Sequence, residues 1–545
     1  MITDDTGVSL HTGRLVPVYP ETEGVSSKWL RGRISFLLDS VAPTLPDPLP
    51  ENIRIPYSLT AIDQALNSIH FPKKSDDIIT ARRRLAFDEL FLLQLVAFEQ
   101  KRERLKKFKT TPFQLHPKKV ATIIKSLPFT LTEDQASAIS DICADISKTT
   151  PMNRLLEGDV GSGKTVVAAI AMYEAILNEK QAVLLAPTQI LAEQHFKTIS
   201  SLFSDSKISV SLITGATKSK TPADITIGTH ALLSEAISFS ALGLIVIDEQ
   251  HRFGVKQREL LTKGLPDTNI PHLLTMTATP IPRTLAKTVF GNIDLSRLSH
   301  MPKGRQVIKT WVVGDEKREK AYEWISKQLN DTCAQAFIIC PLIEDSDAME
   351  DVKAVKSEFL RLQKIFPHHK LGLLHGKLKS TEKTIILDDF RLKKYDILVA
   401  TPVVEVGIDI PNATIMVIEG AERFGLGQLH QLRGRVGRGT LASYCLLFSS
   451  IAKPESLQRL KAMESTHDGA QLAELDLSIR GPGDVFGSRQ HGASHMKIAS
   501  YMDLSTVNET YKAVQTVTKD DPELNNLPYL RDLVKKSKIN PIVQD

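Results

Sequence analysis

Residues 158–165 read Gly158-Asp159-Val160-Gly161-Ser162-Gly163-Lys164-Thr165. They follow the apolar Arg154-Leu155-Leu156-Glu157 and open a run of helical character from Thr165 to Leu177. The stretch matches G-x-x-x-x-G-K-[ST] in full, in the strand–loop–helix context where that spacing acts as a phosphate cradle. Glycines let successive backbone amides turn inward as an anion nest. In such a loop Lys164 reaches the β and γ phosphates of a nucleoside triphosphate such as ATP, and Thr165 ligates magnesium.

Working outward, Val183–Pro187, Ile225–Gly228, Leu244–Asp248 and His272–Thr277 have the composition of buried parallel strands, with helical stretches between them. That alternation predicts a doubly wound α/β domain, punctuated at its end by Pro302 and Gly304. A second strand set follows at Ala336–Cys340, Lys370–Leu374, Asp396–Ala400, Thr414–Ile418 and Ser443–Leu447. The expected fold is therefore α/β, with two parallel-sheet lobes in tandem, of which only the first carries the phosphate loop. The expected boundaries are 115–302 for lobe one and 303–452 for lobe two. Before them, residues 1–114 hold a short strand-and-helix segment and a helical linker. After them, residues 453–545 form a C-terminal helical hairpin and tail that pass through Arg480-Gly481-Pro482-Gly483.

Within the first segment, Pro43, Pro46, Pro48, Pro50 and Pro56 deny helix and favour a stiff, extended connector across 41–56. Residues 59–70 and 75–107 read as helical. The basic end of the second, Lys101 to Lys109, fits either a solvated helix terminus or a contact to the DNA backbone.

Asp248 and Glu249 end an apolar strand. With the phosphate loop in the same domain, Asp248 is positioned to hold magnesium and Glu249 to orient and polarise an attacking water. Arg435 and Arg438 are three apart beside Gly434 and Gly437, and so share a helical face that can approach a neighbouring surface closely. As arginine fingers they would neutralise charge on the transferring phosphoryl group. Arg433 fits a contact to DNA phosphates better. Thr277-Ala278-Thr279-Pro280 ends another strand, either as a plain turn or as a bridge from the Asp248–Glu249 pair to lobe two. His230 and His251 lack partners at metal-ligand spacing, which argues against zinc.

The chain has 545 residues, enough for roughly three or four domains. No apolar run reaches the roughly 18–20 residues of a membrane span, so no membrane partner is expected. The start Met1-Ile2-Thr3-Asp4-Asp5 has no basic region followed by an apolar stretch, so it is not a secretory signal. Cys143, Cys333, Cys340 and Cys445 form no Cys-x-x-Cys pair and read as small hydrophobes in a reducing compartment. A net charge of +5 permits nucleic-acid binding without demanding it.

A wider set of motifs resembles the superfamily 2 helicases: Leu127–Gln135, the phosphate loop, Ala186–Gln189, Gly228–His230, Asp248–Gly254, Thr277–Pro280, Leu374–Gly376, Ala400–Asp409 and Gln428–Arg438. The wording is most similar to the bacterial RecG family. It shows in Asp248-Glu-Gln-His-Arg-Phe-Gly254, Ala421-Glu-Arg-Phe-Gly425, Asp476–Asp484, Gly487–Gly492, Leu15–Gly24 and Arg84–Leu90. The resemblance covers nearly the whole chain from about residue 13.

It implies RecA-like lobes and an ATP- and magnesium-dependent translocase of double-stranded DNA. Such a protein reverses stalled replication forks and moves Holliday junctions in recombination and repair. Its partner is DNA, whether duplex, forked or four-way; it works as a monomer in the bacterial cytoplasm at the nucleoid, with single-strand-binding protein as a further partner. Phe129 and Gln135 match the adenine-recognising segment. The helical hairpin after residue 455, ending in Arg480–Gly492, matches the family's translocation motif, which couples lobe closure to pulling duplex.

Two features depart from the family. Leu15–Gly24 resembles the segment after an oligonucleotide-binding wedge, and the dozen or so residues before it cannot hold a five-stranded barrel. The expectation is that the wedge is missing or lies upstream of a misassigned start. Pro402 stands where the family usually has threonine. A transcription–repair coupling translocase is the nearest rival, but it needs a polymerase-binding module for which there is no room. A truncated DNA-binding remnant is the other, and retention of Lys164, Asp248, Glu249, Arg435 and Arg438 argues against it.

Overall fold

The structure is a computed structural model that describes residues 15–215, 222–234, 237–249, 269–279, 293–301, 307–341, 348–402, 410–437, 439, 441–450, 454–480, 496–500 and 503–539. Gln250–Gly254, Pro280, Pro302, Gly304, Val403–Asp409, Arg438 and Gly481–Gly492 lie outside the described residues. Of the described residues, 15–103, 480, 496–500 and 503–539 form one compact unit and those within 104–279 and 293–479 form the other.

The first unit is helical. It begins with α1 (Ser27–Ser40), α2 (Glu51–Arg54), α3 (Ile62–His70) and α4 (Ser75–Lys107). The proline-rich stretch expected to be extended instead holds α2 and a 3-10 turn at Ala42–Thr44. The prolines start these turns: Pro43 lies in the first turn of one, and Pro50 immediately precedes α2. Proline has no N–H to lose there, and its fixed φ suits a helix start. Arg84 of α4 is fully buried and donates to Asp47, to both Asp88 oxygens at 3.0 and 3.2 Å, and to the Thr60 carbonyl. That network ties the connector to the long helix.

In the second unit, lobe one contains α5 (Pro117–Ser126), α6 (Glu133–Ile146), β1 (Asn153–Gly158), α7 (Lys164–Leu177), β2 (Gln181–Leu185), α8 (Gln189–Leu202), β3 (Val210–Ile213), β4 (Ile225–Gly228), β5 (Leu242–Asp248), β6 (His272–Thr277) and β7 (Asp294–Leu298). Its strands form one parallel sheet in the order β3-β4-β2-β5-β6-β1-β7. Lobe two contains β8 (Lys309–Val313), α9 (Arg318–Thr332), β9 (Gln335–Ile339), α10 (Ala348–Ile365), β10 (Leu371–Leu374), α11 (Ser380–Arg391), β11 (Ile397–Ala400), β12 (Ala413–Ile418), α12 (Leu426–Arg433) and β13 (Tyr444–Phe448). Its sheet is also parallel, in the order β10-β11-β9-β12-β13-β8.

Side-chain alternation covers both faces of each sheet, as helix-flanked parallel strands require. Ala182, Leu184, Leu244 and Val246 enter one core of lobe one, while Val183, Leu185, Ile245 and Ile247 enter the other. In lobe two, Phe337, Ile339, Leu398 and Ala400 point one way and Ala336, Ile338, Ile397 and Val399 the other. The two α/β lobes expected from the strand pattern are both present.

The segment after lobe two divides. Helices α13 (Pro454–Ser465) and α14 (Gly469–Arg480) place Leu460, Met463 and Leu472 in the lobe two core, and Glu464 accepts the Val312 N–H at 2.6 Å. Helices α15 (Leu504–Asp520) and α16 (Pro528–Ile539) instead put Ala513, Val514, Val517, Leu530 and Val534 against Phe87, Phe91 and Leu95 of α4. The grouping of 453–545 as one segment therefore covers two separate packing surfaces. No helix among the described residues is long and apolar enough to cross a membrane.

Candidate functional site

The phosphate loop joins β1 to α7 at the C-terminal edge of the lobe one sheet, where open α/β sheets bind ligands. Gly158 has no room for a side chain: a Cβ there would stand 2.5 Å from Ser162 Oγ and 2.9 Å from Leu298 Cβ. Gly161 and Gly163 take φ of 82° and 88°, a region open to glycine at little cost. Gly163 caps α7, so the loop amides sit at a helix start. Lys164 Nζ bonds back to the carbonyls of Gly158 at 2.5 Å and Asp159 at 3.0 Å. Burial lowers its pKa, against the opposing charges of Asp248, Glu249 and Asp159. Thr165 follows in the first turn of α7, half-buried, while the Ser162 hydroxyl is buried with no hydrogen-bond partner among the described residues.

Helix α6 braces this loop. Thr132 and Gln135 form a capping box at its start, and the Gln135 amide also donates to Ser162 O at 2.8 Å. Gln135 is thus tied to the loop, with one amide hydrogen and one lone pair left over. Phe129 stands half exposed just before the helix.

Asp248 and Glu249 lie at the end of β5, both buried. His195 of α8 holds Asp248 through Nε2 at 2.8 Å. Burial works to raise the Asp248 carboxyl, but His195, Lys164 and the Glu249 N–H outweigh it and keep it below the usual range. Glu249 goes the other way: burial and the neighbouring Asp248 push it up to about 7, against Lys164, Arg435 and the Ala278 N–H. Its φ of 53° is a left-handed backbone in a non-glycine residue, a form of strain that concentrates at functional sites. Thr277 and Thr279 bond to each other through their hydroxyls at 2.5 Å, and in the turn after β6 the Ala278 amide donates to Glu249.

Lobe two meets this site through α12 and the residues after it. Arg435 is buried, and its charge acts on both Lys164 and Glu249. Gly434 packs on Val160, where a Cβ would stand 3.1 Å from Val160 Cβ. His430 bonds Asp159 at 2.9 Å. Burial works to raise Asp159, but His430, Lys164 and Arg433 hold it below the ordinary range. Arg433, expected to face DNA phosphates, is buried instead and donates to the carbonyls of Met463 at 2.8 Å and Thr466 at 3.0 Å. The basic stretch at the end of α4 also carries internal ties: Arg102 binds Glu99 at 2.9 Å, and burial lowers the pKa of Arg104 despite Asp294 and Asp145.

Sequence reasoning missed His195 and His430. Neither stands at a motif spacing that implies a carboxylate partner. His430 lay inside a quoted motif without a role.

A phosphate loop and a strand-end Asp-Glu pair on one parallel-sheet lobe, faced by an arginine from a second, are arranged as in the two-lobe proteins of helicase superfamily 2. Residues 132–288 match the DEAD/DEAH box helicase domain and residues 316–440 the helicase conserved C-terminal domain. The chain is 44% identical over 536 residues to the ATP-dependent DNA helicase RecG of Synechocystis, covering 96% of this chain and 64% of that protein. It is 44% identical to RecG of Bacillus subtilis (93% and 75%) and 43% identical to RecG of Thermotoga maritima (94% and 66%). A solved structure of RecG bound to a three-way DNA junction superposes with a TM-score of 0.72 at 38% identity, over 92% of this chain and 66% of that one. The chain belongs to the RecG family of DNA helicases. It spans about two thirds to three quarters of the length of these curated relatives.

Proposed function

We propose that this chain is an ATP-dependent translocase and helicase of double-stranded DNA that acts on branched substrates, reversing forks and moving four-way junctions in recombination and repair. The observation that supports the reading is the position of Arg435: this buried lobe two residue follows Gly434, which packs on Val160 of the phosphate loop, and its charge acts on Lys164 and Glu249 of lobe one, which in this reading makes the hydrolytic groups come from both lobes. A site divided in this way converts a change in bound phosphate into relative movement of the lobes.

Lys164 and the loop amides hold the phosphates. Glu249, strained and aimed from the strand end, orients the attacking water. Arg435, with Arg438, neutralises charge on the transferring group. Phe129 and Gln135 flank the base. Thr165 and Asp248 are the magnesium ligands in this reading. One hydroxyl and one carboxylate held ionised by His195 suit a small hard cation that keeps phosphate and water oxygens in its shell. The ion supplies neutralisation of phosphate charge when bound. Support for DNA as partner comes from the RecG relative solved on a three-way junction. A cytoplasmic setting at the nucleoid, a monomeric state and contact with single-strand-binding protein complete the reading.

The test is displacement of a third strand from a linear triplex, which reports tracking along duplex. ATP-dependent displacement by the chain, abolished in Glu249→Gln while MgATP still binds, supports the proposal. ATP turnover that duplex DNA leaves unchanged, with no displacement, rejects it.

A further inference from the structure

Three parts of the second unit meet at one point. Asp159 comes from the phosphate loop, His430 from α12 of lobe two, and Gly469 is the first residue of α14. His430 Nε2 lies 2.9 Å from Asp159 Oδ1, and its Nδ1 lies 2.9 Å from an Arg433 NH2 nitrogen. A guanidinium only donates, so Nδ1 accepts and the ring proton sits on Nε2, donating to Asp159. Arg433 then reaches past the ring to the Met463 and Thr466 carbonyls, at the last turn of α13 and the connector to α14. A Cβ at Gly469 would stand 2.7 Å from Asp159 Oδ1 and 2.9 Å from His430 Nε2. The backbone of the helical hairpin therefore rests directly on the carboxylate of the phosphate loop.

This contact is separate from the apolar seat of the hairpin, where Leu460, Met463 and Leu472 lie in the lobe two core. The apolar seat makes the hairpin follow lobe two. The polar contact lets it respond to the loop that holds the nucleotide. Asp159 is one residue from Gly158, whose carbonyl Lys164 grips, so a shift of Lys164 onto a phosphate releases the strand of loop that carries Asp159.

We propose that Asp159, His430 and Gly469 form a nucleotide sensor: His430 and Gly469 are positioning residues through which the phosphate loop sets the α13–α14 turn. The proposal rests on the translocase reading above and adds a direct path from loop to hairpin beside lobe closure. Disrupting this path should separate hydrolysis from movement.

The experiment uses the whole chain, with a non-hydrolysable ATP analogue and magnesium for binding and with ATP for turnover. Backbone hydrogen exchange is read at residues 463–472, and triplex displacement is measured per ATP hydrolysed. In the unsubstituted chain the analogue should change exchange at this turn. His430→Ala should erase that change and lower displacement per ATP by about tenfold, while the KM for ATP moves by less than about threefold. His430→Gln returns an amide hydrogen toward Asp159 and should recover most of both signals. Gly469→Ala pushes a methyl group between Asp159 and His430 and should behave like His430→Ala, which keeps the test valid if His430→Ala folds poorly. An unaltered nucleotide-dependent exchange in His430→Ala and Gly469→Ala overturns the sensor, as does a proportional fall of turnover and displacement that His430→Gln does not relieve. If the unsubstituted chain itself hydrolyses no ATP, the functional reading fails and the sensor with it. If it hydrolyses and moves normally and the variants match it, the sensor alone fails.

Discussion

Gly163→Ala is the sharpest perturbation of the phosphate loop. Residue 163 has φ of 88°, where an L side chain costs about 1–2 kcal/mol. The added Cβ would also stand 2.3 Å from Gln135 Nε2, which must swing away and give up its 2.8 Å bond to Ser162 O. A hydrogen bond of that kind contributes about 1 kcal/mol net. Together these effects disfavour the cradle conformation by about 2–3 kcal/mol, a loss of roughly 30- to 150-fold in nucleotide affinity. Competition by magnesium tripolyphosphate, which has no base for Gln135 to flank, reads this directly, with Gln135→Ala as the control that removes the hydrogen bond to Ser162 O without backbone strain. Gln135→Ala should weaken binding by only about fivefold, the share due to the hydrogen bond. Equal effects of the two substitutions would refute the strain argument, and an unchanged affinity in Gly163→Ala would refute the conformational reading of the loop altogether.

Other outcomes follow from the same structure. Arg84→Met leaves Asp47 and Asp88 without their shared cation and should destabilise the helical unit by about 3–5 kcal/mol, read as an earlier transition in chemical denaturation; an unshifted transition contradicts the network. His272 is fully buried, with Nδ1 accepting the Met152 N–H at 3.1 Å, and burial lowers its pKa to about 4. The unfolded chain takes that proton near pH 6.5 and the folded one does not until about 4, so stability should fall by on the order of 3 kcal/mol as pH drops across that window. His272→Asn keeps an acceptor for Met152 and should flatten that slope; an identical slope in the variant removes the assignment. Lys164→Ala should abolish ATP turnover while the thermal transition moves little, since the residue opens α7 and its amine bonds only the loop carbonyls of Gly158 and Asp159, outside the lobe one core; loss of the fold instead would give Lys164 a structural role.

The strands legible in the sequence are the central ones and one edge strand, β10. Leu244–Asp248 and Ala336–Cys340 are apolar on both faces because helices cover both sides, and a continuous apolar run is easy to see. The edge strands β3, β7 and β8 were not legible. Val210-Ser-Leu-Ile, Asp294-Leu-Ser-Arg-Leu and Lys309-Thr-Trp-Val-Val mix polar residues into short runs, as half-exposed edges do. The phosphate loop was legible because its glycines are demanded locally, by φ at Gly161 and Gly163 and by close approach at Gly158. His195, His430 and the buried Arg433 were not, because their partners at Asp248, Asp159 and Met463 depend on how helices dock on sheets and on each other. The split of the C-terminal segment between α4 and lobe two has the same cause: amphipathic helices declare a buried face, not the surface that buries it.

The central claim is that ATP hydrolysis needs groups from both lobes. The most direct measurement is steady-state ATP turnover of the chain and of Arg435→Ala, with saturating branched DNA, alongside nucleotide binding. The account predicts that branched DNA stimulates the unsubstituted chain. It also predicts that Arg435→Ala lowers kcat by about 10³-fold while nucleotide affinity changes little, because this guanidinium acts on Lys164 and Glu249 from the opposite lobe. Near-normal turnover in Arg435→Ala would contradict it.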